Sequence, residues 1–223
     1  MMDRKKLLLL YNPSAGRAQT SRNLDMLLQK FCTGGCETTV YPILDGLNAE
    51  DSLAGAESAG YDIVVCCGGD GTLHHTVNGL LRLEQPPLLG YIPSGSTNDF
   101  AASLGLPKTP EDAADAVVNG RPHAIDAGDF GGELFCYVAA FGAFSAVSYE
   151  TPQNMKNAMG HLAYIIEGVK RLPIGEKYPA RVEVGDQVFE EEFLFCSISN
   201  TTSIGGFSLD KSVEATLDDG EFE

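Results

Sequence analysis

Residues 62–72 read Asp62-Ile63-Val64-Val65-Cys66-Cys67-Gly68-Gly69-Asp70-Gly71-Thr72. An unbroken apolar run of this length, closed by a glycine cluster, predicts a strand buried on both faces. The glycines let the backbone turn sharply and approach a ligand without side-chain obstruction. Residues 72–83 then carry Leu73, Val77, Leu80 and Leu81 at helical spacing. A strand that enters a helix through such a turn presents free N–H groups at the helix start, which favour anions such as phosphate. Asp70, set between glycines, places a carboxylate where a metal-bound phosphate or an attacking hydroxyl would meet it. Taken alone, the turn has an equally good bland reading, a plain strand-to-helix connection with Asp70 as its cap, because short motifs recur by chance.

The same alternation continues outward from this stretch. Strands are predicted over 7–11, 38–44 and 88–92, the last closed by Pro93. Helices are predicted over 19–31, with Leu24, Leu27, Leu28 and Phe31 on one face, over 49–59, ended by Gly60, and around 98–104 and 110–118. Apolar strands separated by helices predict a parallel sheet covered on both faces. The second half changes character. Residues 125–126, 134–140, 178–184 and 187–198 read as strands, with Gly185-Asp186 as a hairpin turn. One amphipathic helix is expected over 155–172, with Met155, Met159, Leu162, Ile166 and Val169 inward and Pro173 as its stop. The change falls near Arg121-Pro122-His123 and divides the chain into an α/β domain, 1–122, and a mainly β domain, 123–223. Leu217-Asp218-Asp219-Gly220-Glu221-Phe222-Glu223 looks like a turn entering a new strand, so the second domain is expected to be truncated.

Composition narrows the function classes. The formal net charge is −16, from 31 acidic against 15 basic residues, a field that repels nucleic acid and anionic membrane surfaces. Nucleic acid is therefore not an expected partner, and any membrane contact is local, apolar or transient. Residues 7–10 are apolar but stop at Tyr11-Asn12-Pro13, too soon for a signal peptide, and no stretch approaches the length of a membrane span. The six cysteines do not form a disulfide pattern. Cys66 and Cys67 are adjacent in a strand and point to opposite faces. Cys136 and Cys196 read as small buried hydrophobes. Cys32 and Cys36 read as two thiols at a helix end. A reducing cytoplasm fits, with peripheral membrane association open.

Two further loops change the odds for Asp70. Asn12-Pro13-Ser14-Ala15-Gly16 leaves the first strand, and Pro93-Ser94-Gly95-Ser96-Thr97-Asn98-Asp99 leaves the strand at 88–92. Ligands of open parallel sheets bind outside the carboxyl ends of the strands. Three polar, glycine-containing loops at that edge make one phosphate site a better account than three unrelated turns. Ser94, Ser96 and Thr97 offer hydroxyls to phosphate oxygens. Asp99 is either a metal-directed carboxylate or a first-turn acid of its helix. No G-x-x-x-x-G-K-[ST] pattern is present, so the site is not of the Walker type.

On these residues the chain resembles the diacylglycerol kinase catalytic domain family, which includes bacterial soluble lipid kinases and the sphingosine and ceramide kinases. Gly68-Gly69-Asp70-Gly71-Thr72 followed by Val77-Asn78-Gly79-Leu80 is similar to its hallmark. Asn12-Pro13 with Gly16 is similar to its first nucleotide loop, and Gly95-Ser96-Thr97-Asn98-Asp99-Phe100-Ala101 to its Gly-Thr-x-Asn-Asp-Phe-Ala segment. Phe135 to Gly142, Gly160 with Tyr164, Asn200 with Gly205-Gly206, and Asp218-Asp219-Gly220 follow its second domain in order. The glycine-rich motifs are shared with NAD kinases, whereas the second-domain landmarks favour a lipid kinase.

The resemblance implies an NAD kinase/diacylglycerol kinase-like α/β domain and a β-rich second domain. It implies ATP and Mg2+ as cofactors and a lipid such as diacylglycerol as substrate, with a homodimer allowed. It also implies Asp70 and Asp99 as catalytic residues, and nucleotide binding by Asn12, Pro13, Ser14, Gly16, Gly68, Gly69, Gly71, Thr72, Gly95, Ser96, Thr97 and Asn98. Asp219, with the carbonyls of Thr216 and Glu221, is implied to hold a structural magnesium, although Asp-Asp-Gly is also an ordinary turn. Three departures stand out. His74-His75 replaces the usual Asn-Glu, Ala102 replaces a common arginine, and a later segment that supplies a glutamate to the family site is not in the sequence. His74 and His75 read as surface or packing residues, since adjacent helical positions do not face one partner. The alternatives are an NAD kinase and a non-catalytic nucleotide- or lipid-binding module.

Overall fold

The computed structural model describes residues 4–18, 20–44, 49–142, 177–204, 207–208 and 216–223. In chain order the first half builds β1 (Lys5–Tyr11), α1 (Thr20–Thr33), β2 (Cys36–Pro42), α2 (Ala49–Leu53), α3 (Ala56–Ala59), β3 (Ile63–Gly68), α4 (Asp70–Leu81), β4 (Leu88–Pro93), α5 (Asp99–Ser103) and α6 (Pro110–Asn119). The four strands form one parallel sheet in the order β2-β1-β3-β4.

Alternation along β1 fills both faces of this sheet. Leu7, Leu9 and Tyr11 join Val65, Cys67 and Ile92 beneath Leu27 and Phe31 of α1 and Ala113 and Ala114 of α6. Leu8 and Leu10 join Val64 beneath Ala49 and Leu53 of α2 and Leu80 of α4. Cys66 and Cys67 go to opposite faces, as adjacent strand residues must: Cys66 packs with Leu73, Val77, Tyr91 and Phe100, and Cys67 with the first cluster. Each fully buried leucine contributes roughly 1.5–3 kcal/mol of transfer free energy. Burial pushes the Cys66 thiol up to about 12 and the Cys67 thiol to about 11, so neither is a nucleophile at neutral pH.

The register decides where the loops emerge. Tyr11 lies opposite Cys67, and Gly68 opposite Pro93. The segments after β1, β3 and β4 therefore leave the same edge of the sheet side by side. Backbone pairing carries on into them, with Asn12 N–H donating to Cys67 O at 3.0 Å and Ser94 N–H to Gly68 O at 2.8 Å.

Beyond α6, the short strands β5 (Gly128–Phe130) and β6 (Glu133–Phe135) form an antiparallel hairpin. The strands β7 (Val138–Gly142), β8 (Tyr178–Val184), β9 (Gln187–Phe193), β10 (Phe195–Ser199), β11 (Ser203–Ile204) and β12 (Phe207–Ser208) follow. β7 pairs antiparallel with β10, β8 with β9 through a turn at Gly185, and β11 with β12. Contacts group Met1–Tyr137 with Asn200–Glu221 as one compact unit, and Val138–Ser199 with Phe222–Glu223 as a second. The character of the sequence changes near residues 121–123, and contacts keep the chain with the first unit through Tyr137 and return it there at Asn200.

Local differences from the expected elements have local causes. The helix expected over 49–59 is two short ones separated at Ala54-Gly55. No strand forms at 125–126; Asp126 N–H instead donates to Leu217 O at 2.8 Å. The strand expected over 134–140 is two strands in different sheets, because Cys136 and Tyr137 leave the ladder between them. The run at 187–198 likewise breaks at Leu194, where the chain passes from the β8 partner to the β7 partner. No strand begins at Glu221, but Glu223 and Ser199 exchange N–H···O bonds of 2.8 and 2.9 Å. The helix expected over 155–172, with Gly160 and Tyr164, lies outside the described residues, as do Gly205 and Gly206. Among the described residues no helix is long and apolar enough to cross a membrane, and all six cysteines are free.

Candidate functional site

The three loops are fitted to one another backbone to backbone. A Cβ on Gly95 would lie 2.6 Å from Gly69 Cα, and one on Gly16 would lie 2.2 Å from Ser94 O. Gly16 also has φ +57°, in the region that favours glycine. Side chains lock the rest. Asn12 Nδ2 donates to Thr72 Oγ1 at 2.9 Å, and Asn12 Oδ1 accepts from Ser14 N at 3.0 Å. Asn98 is left-handed, φ 55° and ψ 49°, and closes its own loop: Oδ1 accepts from Gly95 N at 2.8 Å while Nδ2 donates to Gly95 O at 3.0 Å. Asparagine is one of the few non-glycine residues that visit this conformation routinely. Asn12 and Asn98 thus shape the loops through their side chains.

Gly68 turns its Cα toward Thr72, where a Cβ would meet the threonine side chain at 2.6 Å. Gly71, by contrast, faces open space, with nothing within 4 Å of a Cβ built on it. Ser96 is exposed, and Pro13, Thr97 and Ser94 are half-buried. Ser94 Oγ is already engaged, donating to Ile92 O at 3.2 Å. Helix α4 starts at Asp70, two residues earlier than its apolar spacing shows, and its N-cap Gly69 makes no side-chain cap. Asp70 is therefore a first-turn residue rather than a cap, and the first-turn amides of α4 have no intrahelical acceptor.

The two site carboxylates lie close together. Asp99 N–H donates to Asp70 Oδ2 at 3.4 Å, while Asp70 Oδ1 is buried with no hydrogen-bond partner. Burial holds the Asp70 carboxyl above the usual aspartate range. The neighbouring Asp99 charge pushes it the same way, opposed by the backbone N–H groups of Asp99, Phe100 and Asn98. Asp99 is itself buried, and its Oδ2 accepts from Tyr137 Oη at 2.9 Å.

Asn78 sits on the inner face of α4 and is 1% exposed. It clamps the β5–β6 hairpin, donating to Leu134 O at 2.8 Å and accepting from Leu134 N at 2.9 Å. Asn200 is equally buried; its N–H donates to Tyr137 O at 2.9 Å and its Nδ2 to Leu217 O at 3.1 Å. The sequence motifs contain Asn78, Asn200 and Tyr137, but spacing alone gave them no partner; a polar residue inside an apolar strand or helix face was the available signal. His74 and His75 diverge, as adjacent helical positions do. His75 Nδ1 is 3.0 Å from Glu50 Oε1, which Arg82 also contacts through Glu50 Oε2, whereas His74 Nε2 is 3.9 Å from Glu133. Burial and the nearby His75 lower the His74 pKa.

At the last turn, Glu221 N–H donates to Asp219 Oδ1 at 3.0 Å and Gly220 N–H to Asp126 Oδ2 at 2.7 Å. Thr216, Asp219 and Glu221 are all exposed. Among the described residues no group of three His, Cys, Asp or Glu side chains could hold a metal ion, so a cation here would depend on carbonyls and water.

A glycine-loop edge of this kind occurs in a known family. A profile described as the diacylglycerol kinase catalytic domain matches residues 6–130. The chain belongs to the diacylglycerol kinase catalytic domain family. A diacylglycerol kinase of Bacillus subtilis (strain 168) is 35% identical over 222 residues, covering 98% of this chain and 72% of that relative. One from Staphylococcus saprophyticus is 36% identical over 220 residues, covering 98% and 72%. A solved structure described as a diacylglycerol kinase from Bacillus anthracis str. Sterne superposes with TM-score 0.77 at 24% identity, covering 100% of this chain and 72% of that one, and shows the fold. The family fold is the one described above: a parallel sheet with helices, then mainly antiparallel strands.

Proposed function

We propose that this diacylglycerol kinase family chain transfers the γ-phosphoryl group of ATP to the hydroxyl of diacylglycerol or a related lipid. The observation that carries the reading is the convergence of the loops on Asp70. Gly69 and Gly95 are in backbone contact, Gly71 opens to free space, and Asp70 Oδ1 is buried without a partner. Phosphoryl transfer needs positioning and charge neutralisation more than covalent help; the fitted loops support the positioning, and the neutralisation would come from the helix-start amides and a bound cation.

In this reading the triphosphate lies against the first-turn amides of α4 and the Gly68–Thr72 and Gly95–Asn98 loops, with the hydroxyls of Ser96 and Thr97 available to its oxygens. Hard oxygen donors suit magnesium, and Asp70 Oδ1 with those hydroxyls would hold it beside the nucleotide. Magnesium would neutralise charge on the phosphate oxygens. Asp70 orients the lipid hydroxyl and accepts its proton as that oxygen bonds to the γ-phosphorus and the bond to the β–γ bridging oxygen breaks, releasing ADP. Asp99 supports Asp70 from behind. A structural cation at the last turn, held by Asp219 with the carbonyls of Thr216 and Glu221, belongs to the same reading. The two neighbouring amides that Asp126 and Asp219 accept bring both carboxylates to that turn. With a net charge of −16, contact with an anionic lipid surface would be brief.

A screen of the full-length protein with γ-labelled ATP against diacylglycerol, other lipid alcohols and NAD tests this. Label in a phospholipid supports the reading. Label on NAD alone would make the chain an NAD kinase, and tight ATP binding without turnover of any acceptor would make it a binding module.

A further inference from the structure

We propose that Tyr137 is a positioning residue of the phosphoryl-transfer site: its phenol fixes the Asp99 carboxylate, and through the backbone of Asp99 it fixes Asp70. The inference rests on the functional reading above. Tyr137 is one of two residues between β6 and β7 that belong to no ladder. It is nonetheless held at both ends. Its carbonyl accepts from the N–H of Asn200, itself 1% exposed, and its Oη donates to Asp99 Oδ2 at 2.9 Å.

Asp99 is 4% exposed. A buried carboxylate that loses a hydrogen-bond donor is held less firmly, and its carboxyl group is free to turn. Turning Asp99 disturbs the first turn of α5, and with it the amide that donates to Asp70 Oδ2 at 3.4 Å. The far end of α5 is braced from the same returning segment: Ser103 Oγ bonds Thr201 Oγ1 and accepts from Thr202 N. The short helix carrying Asp99 is thus pinned at its start by Tyr137 and at its end by residues that directly follow Asn200. Tyr137 Oη meets the Asp99 carboxylate and its carbonyl meets Asn200, so its effect should fall on turnover and spare nucleotide binding.

The test is Tyr137→Phe in the full-length protein, assayed for lipid phosphorylation and, by calorimetry, for nucleotide affinity. Loss of one charge-assisted hydrogen bond should lower kcat roughly tenfold and change nucleotide Kd by less than about twofold. In an Asp99→Asn background, where the charged partner is gone, the same substitution should change kcat by less than about twofold, since coupled residues are not additive. The assignment is overturned if Tyr137→Phe keeps more than about half the wild-type kcat, or loses affinity and turnover in parallel. It is also overturned if the substitution costs as much in the Asp99→Asn background, or if the variant does not fold, which would mark a purely structural role. A wild-type protein that phosphorylates no lipid overturns the functional reading and this inference with it, whereas an active wild type with an unaffected Tyr137→Phe overturns this inference alone.

Discussion

Gly69 and Gly95 face each other across two loops, so that a Cβ on Gly95 would sit 2.6 Å from Gly69 Cα and one on Gly69 would sit 3.0 Å from Gly95 Cα. The neighbour in each case is backbone, which cannot swing aside. This contact fixes the spacing between the loop after β3 and the loop after β4, and hence the width of any ligand site they share.

Glycine substitutions should therefore divide into two kinds. Gly95→Ala forces the loops apart and should cost about 1–3 kcal/mol of stability along with nucleotide affinity. Gly71 meets nothing within 4 Å, so Gly71→Val should leave thermal unfolding within a few degrees of wild type while weakening ATP binding, because the added bulk enters the ligand's space. Calorimetry beside differential scanning distinguishes them. A Gly71→Val protein with unchanged ATP affinity would show that the loop is structural only.

Asp70→Asn should remove most lipid phosphorylation, about a hundredfold or more for a lost general base, yet leave the protein folded. Its folded-state pKa is raised, so the native protein holds this proton to higher pH than the unfolded chain does. Stability attributable to Asp70 therefore falls as pH rises from the ordinary aspartate value through the raised one, and the cost is fully present above it. Urea unfolding across that window, without nucleotide, should show the wild type losing stability relative to Asp70→Asn as pH rises. A difference that stays constant or changes in the opposite direction would contradict the burial of this charge.

Asn98 can be tested by a pair of substitutions. Asn98→Gly accepts the left-handed backbone but loses both bonds to Gly95; Asn98→Ala loses the bonds and also strains a backbone at φ 55° by about 1 kcal/mol. Alanine should thus be the more damaging in both stability and nucleotide affinity. Equal effects would mean that the backbone conformation relaxes in the variants.

Asn78→Ala strips the Leu134 N–H and C=O of their partner at a buried position. The expected loss is about 2 kcal/mol, or roughly 4–8 °C in melting temperature for a protein of this size. Hydrogen exchange of the Leu134 amide should rise in the variant. An unchanged exchange rate would mean that the hairpin does not depend on Asn78.

The sequence alone determined the α/β core. Runs such as 63–68 are apolar at every position, so they bury wherever the chain folds, and alternation within β1 requires cover on both faces. It also located the three glycine loops, because glycine, proline and asparagine act on the backbone of their own segment. Boundaries in the second half were less legible. The 134–140 run is apolar throughout, and apolarity does not say which partner strand it pairs with; only the fold splits it between β5 and β10. The same limit applies at the site. That Asp70 and Asp99 share one end of the sheet follows from the spacing of strands and loops. That Asp99 is held by a tyrosine 38 positions away, and Leu134 by an asparagine 56 positions away, follows from packing. Such bonds are directional and short-ranged, and they exist only once the tertiary structure has brought the two groups within about 3 Å.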